Sequence, residues 1–210
     1  MGALIAIEGP EGAGKTTLAQ RVAQRLREAG AQVLEVREPG GTPVAEAARR
    51  LALDPALEVS ALAELFLMLA ARADLVARIV RPALAGGRVV VTDRFDLSTE
   101  AYQVAGRGLP REAVLAANRL ATGELKPDLT IVLDLPEGVG QARQAAAGKA
   151  PDRMERETAG WHARVGRAFA SAAGASVVHI DATCPPAEVE RRAWEAIRGR
   201  LGETFPDGEG

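Results

Sequence analysis

The sequence predicts an α/β protein with a doubly wound, five-stranded parallel sheet flanked by helices. Short and almost wholly apolar runs alternate along the chain with longer segments whose apolar residues recur at helical spacing. This alternation is the order of parallel strands joined by crossover helices. The composition agrees, because 47% of the 210 residues are hydrophobic and only 3% are aromatic. We therefore expect a core of small and branched aliphatic side chains.

The first half of the chain supplies three of the predicted strands. Residues 3–7 are wholly apolar and stop at Glu8, as expected for a strand that is buried on both faces. The next segment places Leu18, Val22 and Leu26 at helical spacing and ends at Gly30, which is typical of a helix terminus. In order, the predicted elements are a strand at 3–7, helix at 15–29, strand at 32–36, helix at 42–51, long helix at 60–84 and strand at 88–92.

The second half supplies the remaining two strands and a candidate lid. We predict helices at about 97–105, 111–124, 156–173 and 186–201, with strands at 129–133 and 177–180. Residues 141–151 contain no aliphatic side chain larger than alanine, so they predict a mobile lid at about 141–155. The whole is expected to form a single domain over residues 1–204, with a flexible C-terminal tail at 205–210.

Charge and cysteine content exclude several function classes. The formal net charge is −2, whereas a protein that binds duplex nucleic acid would carry a strong basic excess. Cys184 stands alone, which rules out an internal disulfide framework and fits a reducing compartment. The apolar run 65–71 is far shorter than the roughly 20 residues that span a bilayer, and no signal peptide is recognisable. We expect a cytoplasmic protein with no nucleic-acid or membrane partner.

A phosphate-binding motif follows the first strand. Residues 9–16 read G-P-E-G-A-G-K-T and match G-x-x-x-x-G-K-[ST] at each fixed position, between a predicted strand and a predicted helix. The glycines let backbone N–H groups face phosphate oxygens, Lys15 adds a compact positive charge, and Thr16 can coordinate Mg²⁺. The motif predicts the P-loop NTPase fold and an ATP site formed by Gly9, Pro10, Glu11, Gly12, Ala13, Gly14, Lys15, Thr16 and Thr17.

Alternative interpretations of this motif fit less well. A glycine-rich turn before a helix could match by chance, although the strand and helix context argues against it. A dinucleotide fold would have Gly or Ala where Thr17 stands. A GTPase usually has N-K-x-D after a late strand, and the nearest string, at 125–128, lacks the Asn and precedes its strand.

Three further groups of residues can complete a site. Asp93 and Arg94 follow the strand at 88–92, where Asp93 could hold Mg²⁺ and Arg94 could bridge phosphates; a strand-end salt bridge or a helix cap is the alternative. Residues 37–42, R-E-P-G-G-T, follow the second strand at the same sheet edge, or form a simple turn. Arg72 lies near one helix face with Leu65 and Met68, which suits a nucleobase but equally a core stripe with an arginine reaching solvent.

The candidate lid carries its own cations. Arg143, Lys149 and Arg153 punctuate this alanine-rich segment, and a basic lid could close over phosphates and exclude water. A solvated loop with scattered charges is the alternative interpretation.

With these pieces in order, the chain resembles the bacterial thymidylate kinase (dTMP kinase) family along nearly its full length. The strings that carry the resemblance are I-E-G-P-E-G-A-G-K-T-T (7–17), R-E-P-G-G-T (37–42), A-A-R (70–72), D-R-F-D-L-S-T-E-A-Y-Q (93–103), G-R-G-L-P (106–110), K-P-D-L-T (126–130) and D-R-M-E (152–155). The resemblance implies phosphoryl transfer from ATP to dTMP with Mg²⁺, and a homodimer, for which the apolar helix at 60–84 offers a surface.

The resemblance also implies roles for individual residues. Lys15, Arg94 and Glu11 match catalytic positions, with Glu11 on the sugar 3′-hydroxyl. The implied dTMP site comprises Glu11, Arg37, Pro39, Arg49, Met68, Arg72, Arg94, Ser98, Tyr102 and Gln103. Within it, Arg37, Arg49 and Arg94 surround the acceptor phosphate, Arg72 bonds the thymine edge, and Tyr102 would disfavour ribonucleotides. Thr16 and Asp93 are the implied metal ligands, partly through water.

The chain departs from the family pattern at identifiable positions. Gly12 stands where one branch has a P-loop arginine, so the resemblance assigns transition-state stabilisation to Arg143 or Arg153 in the lid. Met68 stands where the family usually has a Phe that stacks on thymine, and Phe66 is predicted to face elsewhere. Alanines at 145–147 replace expected basic residues. Other functions that remain open are a kinase for dUMP or UMP and an ATP-binding regulatory module without transferase activity.

Overall fold

A computed structural model describes residues 2–148 and 150–202 of the chain. Its centre is one five-stranded, fully parallel sheet in the order β2-β3-β1-β4-β5, which confirms the predicted fold class. The strands are β1 (Ala3–Glu8), β2 (Val33–Arg37), β3 (Val89–Asp93), β4 (Leu129–Asp134) and β5 (Val177–Asp181). All five lie within one or two residues of their predicted positions.

Helices cover both faces of this sheet. They are α1 (Lys15–Glu28), α2 (Pro43–Leu53), α3 (Ala61–Leu75), α4 (Arg81–Ala85), α5 (Asp96–Thr99), α6 (Arg111–Thr122), α7 (Val139–Ala146), α8 (Ala159–Ala170) and α9 (Pro186–Leu201). Leu18, Val22 and Leu26 of α1 are buried against one face of the sheet, together with α9. On the other face, Leu75 packs with Leu4 and Val90 of the central strands.

Side-chain caps set the starts of several helices. Thr42 accepts a hydrogen bond from the backbone N–H of Ala45 at 3.1 Å, and Pro43 occupies the first turn, so α2 begins where the sequence predicted. Ser60 caps α3 in the same way. Thr158 caps α8, and therefore the helix predicted from residue 156 starts later, at Ala159. The helix also ends earlier than predicted, at Ala170.

Two predicted helices contain a π-helical segment. The helical run predicted at 60–84 is continuous, but α3 and α4 are joined by a π-helical turn at Val76–Val80. Pro82, in the turn that follows, has no N–H to donate to the preceding carbonyls, which favours a widened turn before it. The helix predicted at 97–105 likewise begins as α5 and continues as a π-helix, Glu100–Gly106.

The segment predicted as a lid is helical in its first half. Helix α7 covers residues 139–146, because a chain rich in alanine has high helix propensity even without large aliphatic side chains. Whether this segment moves stays a prediction. Lys149 and the predicted tail at 205–210 lie outside the described residues. Across 2–148 and 150–202, none of the helices is both long and apolar enough to traverse a bilayer.

Candidate active site

The ends of the parallel strands surround a cleft of about 340 Å³. Parallel pairing places Ile7 opposite Asp93, and Arg37 opposite Asp93 from the other side, so the residues that follow these strands meet at one edge. Many predicted site residues line this single cleft: Glu11, Gly12, Lys15, Thr16, Arg37, Pro39, Arg49, Met68, Arg72, Asp93, Arg94, Ser98, Tyr102 and Gln103. The structure therefore brings together motifs that are far apart in sequence.

The P-loop forms one wall of the cleft. A Cβ at Gly12 would lie 2.3 Å from the carbonyl oxygen of Gly140, and one at Gly9 would lie 2.7 Å from that of Leu133, so both positions require glycine. Gly14 has φ +92° and stands immediately before α1. The remaining predicted ATP residues do not line the cleft but lie in the same loop and the first turn of α1: Gly9, Pro10, Ala13, Gly14 and Thr17.

Lys15 is buried at the base of the P-loop. Its Nζ donates to the carbonyl oxygen of Pro10 at 2.7 Å, which holds the ammonium group within the loop. Burial, and secondarily the positive charge of Arg94, lower the pKa of Lys15 to about 8. A negatively charged group that approaches this buried ammonium group would stabilise its charged form.

Thr16 and Asp93 place two oxygen groups side by side. The hydroxyl of Thr16 donates to Asp93 Oδ2, which joins the start of α1 to the end of β3. Hydroxyl and carboxylate oxygens suit Mg²⁺, which binds proteins through one or two such groups and keeps water or phosphate oxygens for the rest. No group of three or more His, Cys, Asp or Glu side chains with metal-binding geometry occurs within the described ranges, so a denser metal site is not built there.

Arg94 is the central cation of the cleft. Its guanidinium group donates to the carbonyl oxygen of Gly9 and to Ser98 Oγ at 3.2 and 3.1 Å, and to Glu11 Oε1 at 3.2 Å. It also lies 5.0 Å from the ring centroid of Tyr102. Burial alone would lower the pKa of Arg94, but the interactions with Tyr102 and Glu11 outweigh it and raise this pKa. The backbone φ of Arg94 is +75°, which is uncommon for a residue other than glycine, and in this conformation its side chain lines the cleft.

Glu8, which was not predicted as a site residue, forms hydrogen bonds with the residues that follow Arg94. This fully buried carboxylate accepts hydrogen bonds from the backbone N–H groups of Phe95 and Ser98 at 2.8 and 3.1 Å, and from Ser98 Oγ at 2.6 Å. Burial raises the pKa of Glu8 although these bonds oppose the shift. The signal available in the sequence was a carboxylate at the end of an otherwise apolar strand.

Arg72 lines the same cleft and is 4% exposed, so the alternative of an arginine reaching solvent is wrong. Its Nε donates to Glu38 Oε2 at 2.6 Å, its Nη1 to Asn118 Oδ1 at 2.6 Å and to Thr99, and its Nη2 to the carbonyl oxygen of Phe95 at 2.7 Å. These bonds use four of its five N–H groups. One N–H group on Nη2 remains for a ligand.

Glu38, which sequence reasoning also missed, faces Arg72. Its Oε1 is buried and has no hydrogen-bond partner within the described part of the chain. Burial raises the pKa of Glu38 to about 7, although Arg72 opposes this shift. The arginine and carboxylate form a buried ion pair whose partners are 34 residues apart. A sequence pattern with local spacing could not reveal it.

Apolar and amide side chains complete this part of the cleft. Met68 is partly buried and lines the cavity, whereas Phe66 is 57% exposed, so the prediction that Phe66 faces elsewhere is confirmed. The hydroxyl of Tyr102 donates to Glu11, and Gln103 Nε2 donates to Glu64 Oε1 at 2.9 Å. Polar groups and a flexible apolar side chain thus line this part of the cleft.

Two arginines stand at the rim. Arg37 is paired with Glu46 at 3.3 Å and its side chain is 58% exposed. Arg49 Nη1 donates to the carbonyl oxygen of Pro39 at 3.0 Å. Both line the same cleft as Arg94, so three guanidinium groups face one cavity.

The lid arginines do not line the cleft. Arg143, on α7, donates to the carbonyl oxygens of Gly12 at 3.4 Å and Ala182 at 3.0 Å, beside the P-loop. Arg153 donates to Glu64 Oε2 at 2.6 Å and to the carbonyl oxygen of Ala52 at 2.8 Å. In this conformation Arg153 is held by a buried carboxylate, and Arg143 is the lid arginine that adjoins the phosphate-binding loop. A transition-state role for either stays a prediction.

Comparisons with known proteins agree on one family. The family model described as thymidylate kinase matches residues 7–193. A thymidylate kinase of Pseudomonas fluorescens is 50% identical over 194 residues, covering 90% of this chain and 92% of the relative. A thymidylate kinase of Pseudomonas entomophila is 48% identical, covering 95% and 97%. A thymidylate kinase of Deinococcus radiodurans is 44% identical, covering 95% and 98%.

Proposed function

The chain belongs to the thymidylate kinase family, and from that premise we propose that it transfers the γ-phosphoryl group of ATP to dTMP, giving ADP and dTDP. It is a P-loop kinase that acts on a nucleoside monophosphate. The observation that carries the proposal is one continuous cleft that is lined both by the P-loop residue Lys15 and by the buried Arg72. The proposal assigns the triphosphate to the part of the cleft at Lys15 and the base to the part at Arg72.

The donor nucleotide would bind along the P-loop. Backbone N–H groups of residues 9–17 and the N-terminus of α1 face its β- and γ-phosphates, and Lys15 adds its charge there. Thr16 and Asp93 are the residues that would hold Mg²⁺, partly through water. When bound, the ion neutralises charge on the phosphate oxygens. The adjacent oxygens of Thr16 and Asp93 fit the preference of Mg²⁺ for oxygen ligands.

The acceptor phosphate would bind between the arginines at the middle of the cleft. Arg94 is pre-positioned by Gly9, Ser98 and Glu11, and Arg37 and Arg49 approach from the rim. A phosphate oxygen is already anionic at neutral pH, so the attack on the γ-phosphorus requires no general base. The site therefore works by orienting two anions and by stabilising the charge that spreads over the transferring group.

The sugar and base would occupy the end beyond Arg94. Glu11 accepts from Arg94 and Tyr102 and can accept a further bond from the sugar 3′-hydroxyl. The Tyr102 ring would limit space near the 2′ carbon and so disfavour ribonucleotides. Met68 would contact the thymine face, with Ser98 and Pro39 completing the wall.

A lid arginine would complete the transition-state site. Arg143 is the better supported of the two predicted residues, because it already contacts the carbonyl oxygen of Gly12. Arg153 would have to break its bond to the buried carboxylate of Glu64 to reach the cleft, whereas within the described residues Arg143 has no such bond to break.

A substrate profile tests the proposal. Initial rates with ATP and each nucleoside monophosphate, followed by ADP release, should be highest for dTMP. Faster turnover of UMP or dUMP than of dTMP would overturn the substrate assignment. Binding of ATP without turnover of any monophosphate would instead identify a regulatory nucleotide-binding module.

We also propose that two copies associate through the α2–α3 face. Val44 and Leu51 of α2 are each 51% exposed, and Leu62 and Phe66 of α3 are 52% and 57% exposed, so apolar surface is concentrated on two packed helices. This surface supports the predicted homodimer through the 60–84 helix. Sedimentation of wild type and Phe66→Asp tests it: a wild-type monomer at micromolar concentration would contradict the proposal.

We place the protein in the cytoplasm. Both proposed substrates are nucleotides of the cell interior, and the lone Cys184 suits a reducing compartment. Fractionation of cells followed by immunodetection would test the placement, and recovery in the membrane fraction would contradict it.

A further inference from the structure

Glu64 is a fully buried carboxylate next to the part of the cleft that we assign to the base and call the base end, which Arg72 and Gln103 line. It sits in the first turn of α3 and has 0% exposure. Arg107 donates to both of its oxygens, through Nε at 3.0 and 3.1 Å and through Nη2 at 2.8 Å, and Arg153 donates at 2.6 Å. The remaining bond comes from Gln103 Nε2 at 2.9 Å. Glu64 is not among the residues that line the cleft, whereas Gln103 is.

The ionisation state of Glu64 determines how it can bond. Burial by itself would raise the pKa of Glu64, but the hydrogen bonds from Arg107, Gln103 and Arg153 outweigh it and lower the pKa. The side chain is therefore a carboxylate at neutral pH, and a carboxylate can only accept hydrogen bonds.

This restriction fixes the orientation of the Gln103 amide. The amide must present its NH₂ group to Glu64, which leaves the carbonyl oxygen Oε1 directed elsewhere. Within residues 2–148 and 150–202, Oε1 makes no hydrogen bond, and this oxygen is not fully buried. Since Gln103 lines the cleft, Oε1 offers the ligand an acceptor.

Arg72 presents the complementary group in the same cleft. Four of its five N–H groups are bonded to protein, and the fifth, on Nη2, remains as a donor. The base end of the cleft therefore offers one acceptor and one donor, each fixed by buried partners. Thymine and uracil present N3–H, a donor, beside the acceptor O4. Cytosine presents the reverse pattern, with an unprotonated N3 beside an amino group.

We propose that Glu64 is a positioning residue that sets the base selectivity of the enzyme by fixing the Gln103 amide in its acceptor orientation. The inference rests on the proposed dTMP kinase function and deepens it. An unpaired or clashing polar group in a buried site costs far more than a lost methylene contact, so a fixed amide can reject cytosine strongly.

The direct test is Glu64→Gln, which keeps the shape but can present either oxygen or NH₂ to Gln103. The Gln103 amide can then turn over, and the preference for dTMP over dCMP in kcat/KM should fall by on the order of tenfold or more. The change should lie mainly in KM, because base contacts are made in the ground state as well as the transition state. The preference for dTMP over dUMP should not change, because both bases carry the same N3–H and O4 groups.

Glu157→Gln is the matched control. Glu157 pairs with Arg107 in the same cluster but does not contact Gln103, so this variant also removes one negative charge while the amide stays fixed. It should lower thermal stability and leave the dTMP to dCMP ratio as in wild type. A purely structural role for Glu64 would make both variants shift the ratio alike, or neither.

A charge-balanced variant keeps the test valid if Glu64→Gln does not fold. Arg153→Met combined with Glu64→Gln removes one charge of each sign from the cluster. Arg153→Met alone retains the carboxylate and serves as its reference. The ratio of dTMP to dCMP should fall in the double variant relative to that reference.

The outcomes separate this inference from the proposed function. If wild type does not prefer dTMP among monophosphates, the proposed function fails. If wild type prefers dTMP and the folded Glu64 variants keep the wild-type dTMP to dCMP ratio, the function stands and the positioning role of Glu64 is wrong.

Discussion

The two ends of the cleft are built in different ways. The end to which we assign the phosphates, called here the phosphate end, contains one continuous loop, residues 9–17, whose conformation depends on glycine at positions such as Gly12. The base end consists of side chains from distant parts of the chain, joined through buried ion pairs such as that of Arg72 with Glu38. A local loop can be recognised as a motif, whereas a network of distant residues becomes visible only in the folded protein.

This difference predicts where a substitution will be felt. At the phosphate end, side-chain changes should reduce catalysis with little effect on folding, because the loop is held by its backbone. At the base end, changes should reduce stability first, because each charged group there is the partner of another buried group.

The largest effect is expected for Lys15→Ala at the phosphate end. Removal of the ammonium group should lower kcat by roughly a hundred- to a thousandfold or more, since it deprives the transferring phosphate of a buried charge. The midpoint of thermal unfolding should change little or rise, because Lys15 is buried with a pKa lowered to about 8. Steady-state kinetics and thermal denaturation check both parts. Lys126→Ala, at an exposed position outside the cleft, is the control and should retain wild-type activity.

Arg72→Met is the matching test at the base end. It should lower the free energy of unfolding by about 3–5 kcal/mol, because it leaves Glu38 buried without its cation. The deficit should shrink as the pH falls from 8 to 5. Glu38 takes up a proton more readily in the folded variant than in the unfolded chain, so protonation relieves the buried charge.

Denaturant unfolding at several pH values measures this deficit. Arg78→Met is the control in the helical run that follows α3, since its side chain is 69% exposed and pairs with Asp74. An exposed pair of this kind contributes at most about 1 kcal/mol. Equal losses in the two variants would contradict the distinction between the two ends.

The pH dependence of ATP binding gives a smaller effect at the phosphate end. Lys15 is charged below its pKa of about 8 and loses its proton as the pH rises through that value. If the charged form is the one that binds phosphate, the apparent Kd for ATP should weaken by about tenfold between pH 7 and pH 9. Calorimetry in buffers of different ionisation enthalpy should also detect proton uptake on binding near pH 8.

Lys15→Arg is the control for this pH dependence. A guanidinium group stays charged across the range, so its affinity for ATP, although weaker overall, should be nearly flat between pH 7 and pH 9. A parallel decline in both proteins would assign the effect to another group.

The same contrast between local and distant residues explains which features of the molecule could be predicted from the sequence. The strands, their parallel direction and the P-loop were predictable because they follow from local patterns: apolar runs, the alternation of strands with helices, and one short motif. The order of the strands in the sheet was not predicted. Glu8, Glu38 and Glu64 were not predicted, because their importance comes from partners that only folding brings near. The π-helical turn at Val76–Val80 was missed for a related reason, since helical periodicity does not distinguish it from an α-helix.

The lid arginines show the limit of reasoning from a motif. Arg143 and Arg153 were equivalent in sequence, both basic residues of one alanine-rich segment. The structure distinguishes them, because Arg153 is bonded to Glu64 whereas Arg143 contacts the carbonyl oxygen of Gly12. Their roles stay predictions, but the buried ion pair now makes them unequal candidates.

The smallest expected effect tests the placement of the base itself. Met68→Phe introduces a rigid ring where a flexible thioether side chain now lines the cleft beside Leu53 and Tyr102. If thymine lies against this position, an offset-stacked ring should keep dTMP affinity or tighten it by a few-fold, because aromatic stacking contributes about 0.5–1.5 kcal/mol. Calorimetric titration with dTMP measures the change, and ATP affinity should stay constant. Since Met68 is partly buried, a ring that cannot enter the cleft would lower thermal stability and dTMP affinity together. Loss of dTMP binding in a variant of wild-type stability would instead mean that the base lies elsewhere, and the role assigned to Arg72 and Gln103 would fall with it.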